Sequence, residues 1–130
     1  MYRVYDKKKK EWVKQQIFLS PQGDLYLFKH VFFFFHRLIL ASDQRYILHK
    51  CADLKDKNGC ILYEGDICKS SDDEIGVVTY VPDQAAFFYL VYGNQEYFPL
   101  EETMCEMWLD RAGNVFDNPE LIQQEVVDHR

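Results

Sequence analysis

Leu54-Lys55-Asp56-Lys57-Asn58-Gly59-Cys60-Ile61-Leu62-Tyr63-Glu64-Gly65-Asp66-Ile67 decides the fold. Its first half, within a polar stretch from Asp53, ends in Asn58-Gly59. That pair favours a tight turn, because both residues tolerate the left-handed backbone region. Cys60 to Cys68 then reads as mostly extended, with Gly65 marking a bulge or bend. A turn, a short strand, a kink and a second strand therefore follow one another within fifteen residues.

The pattern repeats outward. Downstream, Ser70 to Glu74 is a turn, Ile75 to Val81 a β-branched strand, and Pro82-Asp83-Gln84 another turn. Phe87 to Tyr92 is a strand, and Gly93-Asn94 turns it toward Tyr97 to Leu100. Upstream, Gln44 to Cys51 reads as a short strand. Leu25 to Ala41 accommodates two strands or one long one. Ser20-Pro21-Gln22-Gly23-Asp24 is a strong turn signal that makes an N-terminal hairpin with the extended run Glu11 to Leu19. Met1 to Tyr5 is extended, and Asp6-Lys7-Lys8-Lys9-Lys10 is a charged turn. Five or six short strands spaced about ten residues apart indicate a mainly β, barrel-like or sandwich domain. The order Gly65-Asp66-Ile67, Gly76-Val77-Val78, Phe88-Tyr89-Leu90-Val91 is similar to the strand order of SH3-like barrels, an analogy of fold alone. Near the C-terminus, Asn118 is placed to cap a short helix, with Pro119 at its first position and Glu120 at the positive end of its dipole. Leu121, Ile122, Glu125 and Val126 follow at helical spacing.

Length and composition agree with this picture. The chain has 130 residues, the size of one domain, expected to run 1–130 with an aromatic-rich N-terminal part, 1–50, and a barrel-like core with the helix, 51–130. Aromatic residues make up 16%, and flat rings pack well on pleated sheets. The formal net charge is −6, which argues against general affinity for nucleic-acid backbones. The charge is polarised: residues 1–14 carry six basic and two acidic groups, and residues 101–130 carry two basic and eight acidic.

Three segments resemble the YopX family of phage-associated proteins. The most specific is the opening stretch, Leu54 to Ile67. The second is Ile75-Gly76-Val77-Val78-Thr79-Tyr80 with Phe87 to Leu90. The third is Gly113-Asn114-Val115-Phe116-Asp117-Asn118-Pro119-Glu120-Leu121, and Tyr2 to Lys8 looks like the family's opening. The resemblance implies a β-rich fold and an intracellular setting, the cytoplasm of a bacterial host with the protein phage- or prophage-encoded, and it implies no reaction and no catalytic residues. Its signature residues, Asp56, Asn58, Gly59, Tyr63, Glu64, Gly65, Asp66, Gly76, Asn114, Asn118 and Pro119, all have structural explanations. Residues 15–50 depart from the family pattern.

The sequence carries few signals of chemistry. Ser20, Ser42, Ser70 and Ser71 lack the context of an activated nucleophile, and no Gly-rich phosphate loop is present. Glu64 and Asp66, two apart on a strand, would face the same way, most simply as a solvated pair. His49, Cys51, Cys60 and Cys68 fall close together, but zinc sites use tight pairs such as C-x₂₋₄-C, so the four thiols including Cys105 read as small buried groups. An enzyme of unrecognised type would gather Glu64, Asp66, His49 or Cys51 in a pocket, or pair Cys51 with His30 or His36. The N-terminus is charged by Lys7 and has no apolar leader core, so reduced thiols and a cytoplasmic setting are expected. The run Leu25 to Ala41 is interrupted by Lys29, His30, His36 and Arg37, so it is not a spanning helix.

Two surfaces remain. Phe32-Phe33-Phe34-Phe35 is too apolar for a half-wet strand and is the candidate contact for a host or phage protein, or for a second copy of the chain. Lys7, Lys8, Lys9 and Lys10 beside Trp12 are the candidate nucleic-acid contact. The leading expectation is a non-catalytic accessory protein that works by protein binding.

Overall fold

The computed structural model describes residues 2–14, 17–22, 24–32, 35–40, 45–93 and 96–122, with backbone alone for residues 18, 26–32 and 35–40. It divides into two compact units, one of residues 3–48 and one of residues 1–2 and 49–130. The mainly antiparallel β class expected from the sequence is the class observed.

In the smaller unit, β1 (Tyr2–Asp6) and β2 (Glu11–Trp12) pair with Tyr5 opposite Trp12. The lysine run forms the turn between them. Strand β3 (Ile17–Leu19) pairs with β4 (Leu25–Phe32) across the Pro21 turn, and β4 pairs with β5 (Phe35–Leu40). The apolar run Leu25 to Ala41 is thus two strands, not one. Val4 and Leu25 are buried with Val13, Ile17, Tyr46 and Leu48 against them. β6 (Tyr46–Lys55) neighbours β1 and carries the chain across the unit boundary.

In the larger unit, β6 pairs with β7 (Ile61–Tyr63). A five-stranded antiparallel sheet has the order β11-β10-β9-β8-β12. Its strands are β8 (Asp66–Ser70), β9 (Ile75–Val81), β10 (Ala86–Val91), β11 (Tyr97–Pro99) and β12 (Leu109–Asn114). A 3-10 turn, Pro82–Gln84, joins β9 to β10. One helix, α1 (Glu102–Trp108), was not expected. The C-terminal helix begins where it was expected, with Leu121 N–H on the Asn118 carbonyl at 3.2 Å and Ile122 N–H on Pro119 at 3.1 Å. Its capping differs from expectation. Asn118 turns its amide oxygen back to Asn114 N–H at 3.2 Å, and its backbone carbonyl serves the helix. Glu125 and Val126 lie outside the described residues.

Strand alternation sorts the five-stranded sheet into two faces. One face carries Val78, Tyr89 and Val91, which join Leu62, Cys68, Cys105 and Leu109 in the core, with Phe87 and Trp108 packed on them. Trp108, at the end of α1, meets Tyr89 and Phe98 edge to face, with ring centroids 6.1 and 6.2 Å apart. Tyr89 is fully buried, and its hydroxyl donates to the Cys68 carbonyl at 3.0 Å, which spares a polar group the cost of desolvation.

Candidate functional site

The turn after β6 is built by Asp56. Its Oδ1 accepts from Asn58 N–H at 2.9 Å and Cys60 N–H at 2.8 Å, and its Oδ2 accepts from Arg111 N–H on β12 at 2.9 Å. Asn58 Nδ2 donates to Asp110 Oδ1 at 2.8 Å. Gly59 takes φ +83°, which a side chain would strain.

The kink between β7 and β8 is a two-residue turn, Glu64-Gly65. Asp66 is fully buried, with Oδ2 accepting from Tyr63 N–H at 2.7 Å and Oδ1 lying 3.3 Å from Arg111 Nε. Glu64 accepts from Lys50 N–H at 3.2 Å. The expected solvated pair does not form, because the turn ends the strand between the two residues and breaks their shared parity. Gly65 N–H donates to Val78 at 2.8 Å, and its carbonyl accepts from Val115 N–H at 2.9 Å. His49 is buried beneath Gly65 and stacks on Phe116 with centroids 5.3 Å apart. Gly76 lies against the Tyr89 ring.

The segment after β12 is held by Asn114, whose Oδ1 accepts from Phe116 and Asp117 N–H at 3.0 and 2.9 Å. Cys60, Arg111, Gly113, Asn114, Asp117 and Asn118 line a polar cleft of about 270 Å³. Asn114, Asn118 and the turn residues Asp56, Asn58, Gly59 and Gly65 therefore all sit where backbone segments are tied together.

The thiols do not behave alike. Cys51, Cys68 and Cys105 are buried and Cys60 is exposed, contrary to its expected burial, because the turn places it on the rim of the polar cleft. Burial pushes the Cys68 thiol well above its ordinary range and the Cys105 thiol up to about 11. A disulfide-exchange reagent at neutral pH is expected to titrate one of the four cysteines quickly in the folded protein and all four after denaturation. Cys60→Ser should remove the fast phase; its persistence would place the reactive thiol elsewhere. Among the described residues, no group of three or more His, Cys, Asp or Glu gathers as a metal site. The side chains of His30 and His36 lie outside the description.

The two surfaces singled out from sequence fare differently. Phe32 closes β4 and faces Phe35 across the hairpin. Phe33 and Phe34 lie outside the described residues, as do the side chains of Phe32 and Phe35. Lys7 to Lys10 are all exposed. Asp6 shapes their turn: its carboxylate binds Arg45 at 2.8 and 2.9 Å and accepts from Lys8 and Lys9 N–H at 3.0 and 3.2 Å. The Arg45 guanidinium, aided by the Lys9 and Lys8 amides against the opposing effect of burial, holds this carboxyl well below the usual range. Trp12 has the Arg3 guanidinium 4.4 Å from its ring centroid and the Tyr5 edge against it. Residues 3–48 hold nine Lys and Arg against four Asp and Glu, net +5, and the larger unit holds six against seventeen, net −11.

A third surface was not anticipated. On the outer face of the five-stranded sheet, opposite Val78 and Tyr89, Ala86, Phe88 and Leu90 line up with Val81, Thr79 and Val77 on β9 and with Pro99 and Tyr97 on β11. Val77 and its β8 neighbour Ile67 are buried on this face. Exposure grows toward the edge strand, where Tyr97 is 55% exposed. Val81, Gln84, Phe88 and Tyr97 line an apolar cleft of about 290 Å³, with the Phe88 and Tyr97 rings edge to face at 6.3 Å. The sequence shows a Tyr97 to Leu100 strand but not which face it leaves open, since that depends on pairing register.

A family model described as YopX protein matches residues 1–123. The chain belongs to the YopX family. Two crystal structures share its fold, each at 18% identity. Protein EF1440 from Enterococcus faecalis has a TM-score of 0.64, with 93% of this chain and 96% of that one covered. Protein yopX from Bacillus subtilis has a TM-score of 0.63, with 92% and 95% covered. No curated protein matches the chain. Among the described residues, no helix is long and apolar enough to cross a membrane.

Proposed function

We propose that this chain is a non-catalytic accessory protein of phage or prophage type that works in the cytoplasm by docking another protein on the outer face of its five-stranded sheet. One observation supports the reading: an apolar strip, ending in a largely exposed Tyr97, borders a cleft toward the β11 edge of the sheet face opposite Tyr89. Aromatic side chains presented this way supply most of the energy of protein interfaces, because they bury much area with little rotamer entropy. The phage setting and the location rest on the family resemblance. The reading is tested by selecting a random displayed-peptide library against the folded full-length protein. Enriched peptides that bind wild type and not Tyr97→Ser are the expected result. No enrichment, or enrichment indifferent to that change, ends the reading.

A second reading, nucleic-acid contact through Lys7, Lys8, Lys9 and Lys10, draws support from the exposure of all four lysines and the net +5 of their unit. The Arg3 and Tyr5 contacts on Trp12 weaken the base-stacking half of it. It requires binding to single-stranded DNA or RNA that falls steeply with salt and is lost in Lys8→Glu/Lys9→Glu. Salt-insensitive or absent binding removes it.

A further inference from the structure

From residue 70 to residue 110 the chain has nine Asp and Glu and no Lys, Arg or His. That stretch supplies every described residue lining the outer-face cleft. Asp83, exposed in the 3-10 turn, directly precedes the lining residue Gln84. An apolar floor with a carboxylate next to it, in a stretch of chain without cations, selects against acidic partners. It favours a ligand that is apolar with a cationic flank. The rings add to this preference, since a guanidinium or ammonium gains energy over an aromatic face. The protein already uses that contact on the same sheet, where Lys50 Nζ lies 4.0 Å from the Tyr80 ring centroid. Strand β11 does not suit pairing with an incoming strand, because it is three residues long and Pro99 removes a backbone donor. Side chains rather than a backbone ladder therefore do the recognising.

We infer that the cleft lined by Val81, Gln84, Phe88 and Tyr97 takes an extended, cationic-apolar segment of a partner protein, with Lys or Arg side chains set against Asp83 and the Tyr97 ring. This rests on the docking reading above and adds the chemical class of the partner.

The test uses the full-length protein and short fluorescent peptides in anisotropy titrations. One peptide alternates Arg with Leu, a second replaces Arg by Glu, and a third replaces Leu by Ser. The Arg-Leu peptide is expected to bind, the Glu-Leu peptide not to, and the Arg-Ser peptide to bind at least tenfold more weakly. Tyr97→Ser should weaken Arg-Leu binding at least tenfold, as removal of an aromatic anchor does. Asp83→Lys should weaken it and flatten its salt dependence. Met107→Ser, at an exposed position on α1, serves as the control and should bind as wild type. Equal binding of the Arg-Leu and Glu-Leu peptides that still requires Tyr97 would overturn the cationic class and leave the docking reading standing. Binding unchanged in Tyr97→Ser would overturn both. Concentration-dependent self-association of wild type, abolished by Tyr97→Ser, would make a second copy the occupant and would also overturn the inference.

Discussion

Replacing Gly65 with alanine is expected to cost about 2–5 kcal/mol of folding stability, the sum of left-handed backbone strain and overpacking. The backbone at Gly65 has φ +85°, a region that L side chains adopt at a cost. A Cβ there would stand 2.4 Å from His49 Cε1 and 2.8 Å from Nδ1. The ring cannot swing aside cheaply, because it is buried and stacked on Phe116. Nor can the turn lift away, since Gly65 is tied through N–H to Val78 and through its carbonyl to Val115. The two contributions separate in a double-mutant cycle read by urea unfolding. In a His49→Ala background the clash is gone, and Gly65→Ala should cost only the backbone strain, about 1–2 kcal/mol. Costs that add to within about 0.5 kcal/mol would show that His49 and Gly65 do not oppose each other in this way.

The sequence made the turns and the middle strands visible because their signals are local. Asn58-Gly59, Gly65 and Pro82 mark reversals that need no tertiary context, and the β-branched run Ile75 to Val81 is a strand at those bounds. Helix α1 leaves no such signal, for an equally local reason. Its N-cap is Glu101 with no side-chain capping bond, and it is seven residues long, too short for a periodicity to stand out. Only in the fold do Met104, Cys105 and Trp108 show themselves as its core-facing side. β12 was hidden by composition: Asp110, Arg111, Ala112 and Gly113 have low strand propensity, and its register shifts between Arg111 and Gly113. Long-range pairing with β8 makes it a strand. The candidate cleft was half legible. Its rings and the missing cations can be read from the chain, whereas the face they occupy is fixed only by how β9, β10 and β11 align.

Asp56→Ala is the substitution expected to do the most damage after Gly65→Ala, at about 3 kcal/mol, because it leaves buried donors without an acceptor. Asp56 is 2% exposed and sits in what reads from sequence as a polar loop. Its burial becomes tolerable because three backbone N–H groups point at one carboxylate, and one of them, from Arg111, lies 55 residues away. Burial alone would raise its pKa. The amides of Arg111, Cys60 and Asn58, with the Arg111 charge, outweigh it and hold the group below its ordinary value. A depressed native pKa means that the stabilisation is fully present above the unfolded value of about 3.9 and is lost as pH falls through the native one. The gap in unfolding free energy between wild type and Asp56→Ala should therefore be flat from neutral pH down to about 5 and narrow only in stronger acid. Asp56→Asn separates charge from shape. It keeps one acceptor for the Asn58–Cys60 turn but aims an NH₂ group at the Arg111 amide, or the reverse, so it should recover part of the loss and show no acid dependence of its own. An alanine variant within about 0.5 kcal/mol of wild type would mean that water replaces the carboxylate without penalty. The signature Asp-x-Asn-Gly would then owe its sequence to the turn alone, and not to the bond that ties that turn to β12.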